Sequence, residues 1–258
     1  MKVVIIGSGN VATVVGKKMK RAGVEILQVA ARNEKEGASL AEKLEASFTN
    51  NLLEVDRGGD LYLIAVPDTV ISATAKLLRL EGKMIVHTAG SVLKNVLINE
   101  GLINCSLGVI YPLQSLKKQN EIIPAIPVLI DGDCDSTIQS LQKFSSIWAE
   151  EVAVANDEQR LKMHIAAVFA NNFSNYMFTM AERICDKEQL NFSMLLPLIL
   201  ETTNRLQAFK PSEVQTGPAV RQDHQTIEKH LRLLNNYPSL KHLYKEITSS
   251  ILEEQAAE

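Results

Sequence analysis

Residues 2–12 read Lys-Val-Val-Ile-Ile-Gly-Ser-Gly-Asn-Val-Ala, and their spacing is chemically specific. The apolar run Val3–Ile6 passes directly into Gly7-x-Gly9-x-x-Ala12, and an amphipathic pattern of helical period follows. A strand, a glycine-rich turn and a helix in that order form a dinucleotide-binding pattern, with alanine in the permitted third position. Gly7 allows the tight turn. Gly9 has no Cβ, so a pyrophosphate can approach the backbone. Ala12 lets the helix pack closely on the strand. Ser8, Asn10 and Val11 complete the turn, where free N–H groups and the helix dipole favour phosphate charge.

The end of the second strand selects the nucleotide. An acidic residue there binds ribose hydroxyls, whereas a nearby arginine accommodates a 2′-phosphate. Here the strand ends Ala30-Ala31-Arg32-Asn33, with arginine in place of the acid, and Glu25 stands at the opposite end of the strand. A guanidinium matches phosphate bidentately, so Arg32 favours NADP over NAD. Asn33 either assists or caps the next helix. Ala65-Val66-Pro67-Asp68 ends a buried strand at the same edge of the sheet. It either lines the nucleotide with backbone or is simply a proline stop followed by a capping aspartate. His87-Thr88-Ala89 ends another strand, with small residues that permit close approach of a ring. His87 is either a proton or hydrogen-bond donor or a core histidine satisfied by backbone.

The second half supplies further candidates. His164, Val168, Asn171 and Asn175 fall on one face of a long helical pattern by the i, i+4, i+7 rule. Polar groups inside an otherwise apolar helix need partners, which a cleft supplies. His164 is the candidate proton donor or acceptor, and Asn171 and Asn175 the candidate substrate-orienting groups. Arg221 follows a Gly217-Pro218 turn and could clamp a carboxylate, while Asp223 can cap the next helix.

The elements that must position these groups alternate in the first half. Strands are expected at Val3–Ile6, Glu25–Ala31, Ser47–Thr49, Leu61–Val66, Met84–His87, Leu107–Tyr111, Pro127–Ile130 and Val152–Ala155. Helices are expected near 11–21, 34–44, 68–80 and 135–148, the third capped by Asp68. This rhythm implies a doubly wound, largely parallel sheet. After Asp157 only helical patterns occur, near 158–186, 192–209, 223–235 and 240–253. The fold class is therefore α/β, a doubly wound Rossmann domain over 1–155, followed by an all-α domain over 156–258 for substrate binding and dimerisation.

Composition narrows the function. The net charge of -3 and 5% aromatic content give no electrostatic or stacking case for nucleic acid. No apolar run reaches the roughly 20 residues of a membrane span, and the first residues form a strand instead of a signal peptide. Cys105, Cys134 and Cys185 are widely spaced, which reads as reduced thiols in the cytoplasm without a zinc site.

The chain resembles a family of Rossmann-like NADP oxidoreductases whose C-terminal helical part has no assigned role. That family is related to pyrroline-5-carboxylate reductase, prephenate dehydrogenase and the 6-phosphogluconate dehydrogenase group. The resemblance rests on Gly7–Ala12, Ala65–Asp68, His87–Ser91, Tyr111-Pro112-Leu113-Gln114-Ser115, and Thr216-Gly217-Pro218 with Arg221 and Asp223. It implies that His164 and Arg221 face the cofactor cleft, and that dimers form through the helical domain. Two departures stand out. Tyr111-Pro112 replaces the usual His-Pro, and Arg221-Gln222-Asp223 replaces Arg-Gly-Asp. A tyrosine titrates near pH 10, so a general-acid role for Tyr111 needs tuning. The family's activity rests on fold and cofactor motif, with no settled substrate. The expectation is an NADP-dependent oxidoreductase acting on a small keto, imino or carboxylate-bearing substrate. The competing expectations are a non-catalytic NADP-binding sensor and a structural dimer with a vestigial site.

Overall fold

A computed structural model describes residues 1–257, with side chains through 254. The chain forms two units, 1–172 and 173–258.

In the first unit, the apolar run at the N-terminus becomes β1 (Lys2–Ile6), sealed from solvent after its first residue. It leads into α1 (Asn10–Arg21), β2 (Glu25–Ala30), α2 (Glu34–Leu44) and β3 (Ser47–Thr49). Local chemistry sets the ends of α2. Asn33 Oδ1 accepts the Glu36 N–H at 3.1 Å, Glu34 and Glu36 stand in the first turn, and Glu45 closes the helix with φ +55°. Then come β4 (Leu61–Ile64), α3 (Ile71–Leu77), β5 (Leu80–Glu81), β6 (Met84–His87), β7 (Leu102–Ile103), β8 (Ser106–Pro112), β9 (Val128–Gly132), α4 (Asp135–Ser145), β10 (Val152–Val154) and α5 (Asp157–Ala167).

The main sheet has the order β10-β9-β8-β6-β4-β1-β2-β3. From β3 to β8 every pair is parallel. β9 runs antiparallel to β8, and β10 parallel to β9. The order reverses at β1, where crossovers leave to either side, and such a switch point opens a crevice at the carboxyl edge. Two apolar cores fill the two faces. One packs α1, α2 and α4 on the sheet through residues such as Val15, Leu40 and Phe144, and the other packs α3 through Ile71 and Ala75. Strands buried on both faces need no hydrophobic alternation, which is why they read as continuous apolar runs.

Several expected bounds change. The strand at 61 stops at Ile64. Asp68 does not cap a helix to residue 80. A 3-10 turn over Asp68–Val70 precedes the short α3, and no side chain caps either. β5 and β7 form a separate two-stranded ribbon, too short to show a pattern in sequence.

The second unit is helical. It contains α6 (Ser174–Lys187), α7 (Leu196–Arg205), α8 (His224–Leu233) and α9 (Pro238–Ala257). Pro197 sits in the first turn of α7, where its missing N–H costs no helical bond. Asp223 caps α8 by accepting the Thr226 N–H at 3.0 Å. Between α5 and α6 the backbone takes a π-helical form over Val168–Phe173. No helix among the described residues is long and apolar enough to cross a membrane.

Candidate active site

The site builds outward from β1. Register aligns Ile6 with Ile64, Ile64 with His87 and His87 with Val109, so the chain leaves β1, β4, β6 and β8 along one carboxyl edge. Gly7 has φ +125°, and a Cβ there would lie 2.2 Å from the Ala65 carbonyl oxygen. Glycine is thus required twice, for the backbone conformation and for the close approach of the β4 end. At Gly9 a Cβ would meet nothing within 4 Å. Gly9 is the N-cap of α1, no side chain caps it, and the first turn has no acidic residue. Open space over an uncapped, positively polarised helix start fits a pyrophosphate. Ser8, Asn10 and Val11 are at least partly exposed around it, and Ala12 is buried against the sheet.

Arg32 is exposed after β2, while Asn33 is engaged as the α2 cap. Ala65, Thr88 and Ala89 are small and nearly buried, with Val66 and Pro67 beside them on the edge. The Asp68 carboxylate accepts the Ser91 hydroxyl at 2.8 Å. His87 is wholly buried, and its Nδ1 accepts the Ala89 N–H at 3.2 Å, which fixes the turn after β6. Burial, with the Arg160 guanidinium nearby, pulls its pKa down to about 4, so the ring is neutral at neutral pH. Its Nε2 has no hydrogen-bond partner among the described residues. His87 is therefore a core histidine, and its side chain offers no contact surface to a ligand.

Tyr111 and His164 come together. The Tyr111 hydroxyl is 2.9 Å from His164 Nδ1, and the rings meet edge to face. Both are half-buried. A Cβ on Gly90 would lie 2.9 Å from both His164 Nδ1 and Tyr111 Cζ, so the pair rests on a bare backbone. Burial, and secondarily the Asp68 charge, raise the Tyr111 pKa, so its proton is retained.

A charged cluster seats α5 beneath this pair. The capping box of Asn156 and Gln159 starts the helix. Arg160, one turn before His164 and 1% exposed, donates to the Val92 carbonyl at 2.6 Å and to Asp157 Oδ1 at 2.5 Å. Lys94 Nζ donates to Asp131 Oδ2 at 2.8 Å, and the Lys94 N–H to Asp157 Oδ1 at 3.1 Å. Burial alone would raise the Asp157 carboxyl, but these donors hold it below its ordinary value. Arg160 and Lys94 were not visible as positioning residues in the sequence. The one signal was the Asn-x-x-Gln capping pattern ahead of Arg160.

Asn171 lies in the π-helical segment, and the wider turn advances the chain by less rotation per residue. His164 precedes this segment in the first unit, and Asn175 follows it in the second. Both asparagines are exposed. In the second unit Arg221 is exposed ahead of Gln222, whose φ is +52°. Among the described residues no group of three His, Cys, Asp or Glu could hold a metal ion.

Comparison with known proteins agrees with this architecture. Residues 2–90 match the family described as NADP oxidoreductase, coenzyme F420-dependent, and residues 126–251 match a domain of unknown function, DUF2520. No curated protein matches the chain by sequence. Two solved structures share the fold alone. An imine reductase from Myxococcus stipitatus in complex with NADP+ is 15% identical over 100% of this chain and 95% of its own, with a TM-score of 0.67. A 1-pyrroline-5-carboxylate reductase from Streptococcus pyogenes is 12% identical over 98% of each chain, with a TM-score of 0.66. A "putative NADP oxidoreductase" from Bacteroides fragilis is 36% identical over 98% of each chain, with a TM-score of 0.88, and this chain belongs to its family.

Proposed function

We propose that the chain is an NADP-dependent oxidoreductase acting on a small keto, imino or carboxylate-bearing molecule, with Tyr111 and His164 as its proton source. The observation that carries this reading is the 2.9 Å contact between Tyr111 and His164 on the strand edge that also bears the dinucleotide turn. The Gly7–Ala12 turn would hold the pyrophosphate, and Arg32 the 2′-phosphate. Bound NADPH supplies a hydride. The protein must then protonate the nitrogen or oxygen left electron-rich. The Tyr111 hydroxyl can give up its proton while taking one from Nδ1–H of a protonated His164, so no tyrosinate is left behind. His164 is half-buried, and solvent can resupply its proton.

Residues 1–155 would bind the cofactor, and 156–258 would bind substrate and pair two copies. Support for a homodimer comes from large apolar side chains left in solvent in the second unit, including Met194, Leu198, Leu200 and Leu233. Arg221 is the carboxylate clamp in this reading, and Asn171 and Asn175 orient substrate. The three cysteines are free, in keeping with a cytoplasmic protein.

Calorimetric titration with NADPH and NADH, followed by NADPH oxidation against a panel of carbonyl compounds and imines, tests the reading. Tighter binding of NADPH with turnover of a panel member supports it. Binding without any turnover leaves a sensor, and no binding leaves a vestigial site.

A further inference from the structure

The connection from β8 to β9, residues 113–127, has both ends at the carboxyl edge, because β9 runs antiparallel to β8. It is tied down along its length. Leu116 and Ile126 are buried in the core beneath α1. Gln114 Nε2 donates to the Ala125 carbonyl at 2.9 Å, Lys18 Nζ to the Pro124 carbonyl at 3.2 Å, and the Ile126 N–H to Glu150 Oε2 at 2.7 Å. So anchored, the segment presents Lys118 to two places at once. Its N–H donates to Asn10 Oδ1 at 3.1 Å in the dinucleotide turn, and its Nζ pairs with Glu36 Oε1 at 2.6 Å in the first turn of α2.

Lys118 and Glu36 line an open cleft of about 560 Å³ that runs from Ser8 and Thr13 to Asn33. Lys35, Lys43, Lys118 and Glu36 are the charged groups facing it. Lys35 and Lys43 form no ion pair among the described residues. Glu36 is the one negative charge, four residues beyond Arg32. A carboxylate near this turn suits a ribose hydroxyl and repels a phosphate.

We infer that Lys118 determines cofactor specificity from outside the dinucleotide motif, neutralising Glu36 and adding its own charge for a 2′-phosphate. The inference rests on the NADP reading above. Loss of Lys118 removes a cation and also exposes the Glu36 charge, whereas loss of the Glu36 charge frees the ammonium.

The test is titration calorimetry of the full chain with NADPH and with NADH, for wild type, Lys118→Ala, Glu36→Gln and the double variant, with thermal unfolding as a control of folding. Lys118→Ala keeps the backbone bond to Asn10. It should weaken NADPH binding about tenfold and leave NADH binding nearly unchanged. Glu36→Gln should bind NADPH as tightly as wild type or more so, and in the double variant it should recover part of the Lys118→Ala loss. Lowering the salt should widen the gap between wild type and Lys118→Ala for NADPH alone. Equal weakening of both cofactors, or no weakening, overturns the inference while NADPH binding by wild type leaves the NADP reading intact. Wild type that binds neither cofactor overturns both.

Discussion

The Tyr111 hydroxyl and His164 Nδ1 lie 2.9 Å apart across the bare backbone of Gly90. A strand end and a helix separated by 53 residues thus meet in one hydrogen-bonded pair.

Tyr111→Phe keeps the ring and removes the proton. In the proposed mechanism kcat for NADPH oxidation falls about 100-fold or more, while NADPH affinity is unchanged. Steady-state kinetics with the best member of the carbonyl and imine panel, beside a binding titration, reads both. Wild-type kcat in the variant would take Tyr111 out of the proton path.

Gly90→Ala places a methyl group 2.9 Å from both partners. The pair must move or the fold must strain, at about 1–3 kcal/mol. Urea unfolding measures the loss, and the expected companion is a fall in turnover without a change in NADPH affinity. A variant with unchanged stability and turnover would mean that the pair can be displaced without consequence.

His87 makes stability depend on pH. Its folded pKa is about 4 against an ordinary 6.5. Between those values the unfolded chain holds a proton that the folded chain does not. Stability therefore falls as pH drops from 6.5 toward 4, by on the order of 3 kcal/mol in all. Urea unfolding across that range should show a shallower slope for His87→Gln than for wild type. Matching slopes would show that the buried imidazole does not set the dependence.

Arg32→Asp restores the acid that an NAD site carries. NADPH affinity should drop roughly tenfold or more, and NADH affinity should hold or rise. Calorimetry with both cofactors decides it, and a parallel loss for both would remove Arg32 as the phosphate contact.

What was legible in the sequence is what is local. The Gly7–Ala12 turn, the buried strands and the Asn33 and Asp223 caps each follow from residues within a few positions, where backbone sterics and short hydrogen bonds dominate. The seat of α5 is not local. It depends on Arg160, Asp131, Lys94 and the Val92 carbonyl, which only the folded sheet brings together. Nothing in the period of residues 168–173 distinguishes a π-helical turn from an α-helical one. Lys118 lies in a segment without periodicity, and its bonds to Asn10 and Glu36 span the chain. His87 was readable as either donor or core, and complete burial decides for core.

The reversed direction of β9 carries an evolutionary consequence. A parallel successor to β8 would require a crossover, usually a helix, whose length and handedness the sheet dictates. The reversal replaces that crossover with a loop that stays at one edge, and loops accept insertions and deletions that ladders do not. Residues 117–121 can therefore lengthen, shorten or change charge over the starts of α1 and α2 without disturbing a strand pairing. Cofactor preference in this architecture can drift by exchange of a loop while the glycine turn stays as it is.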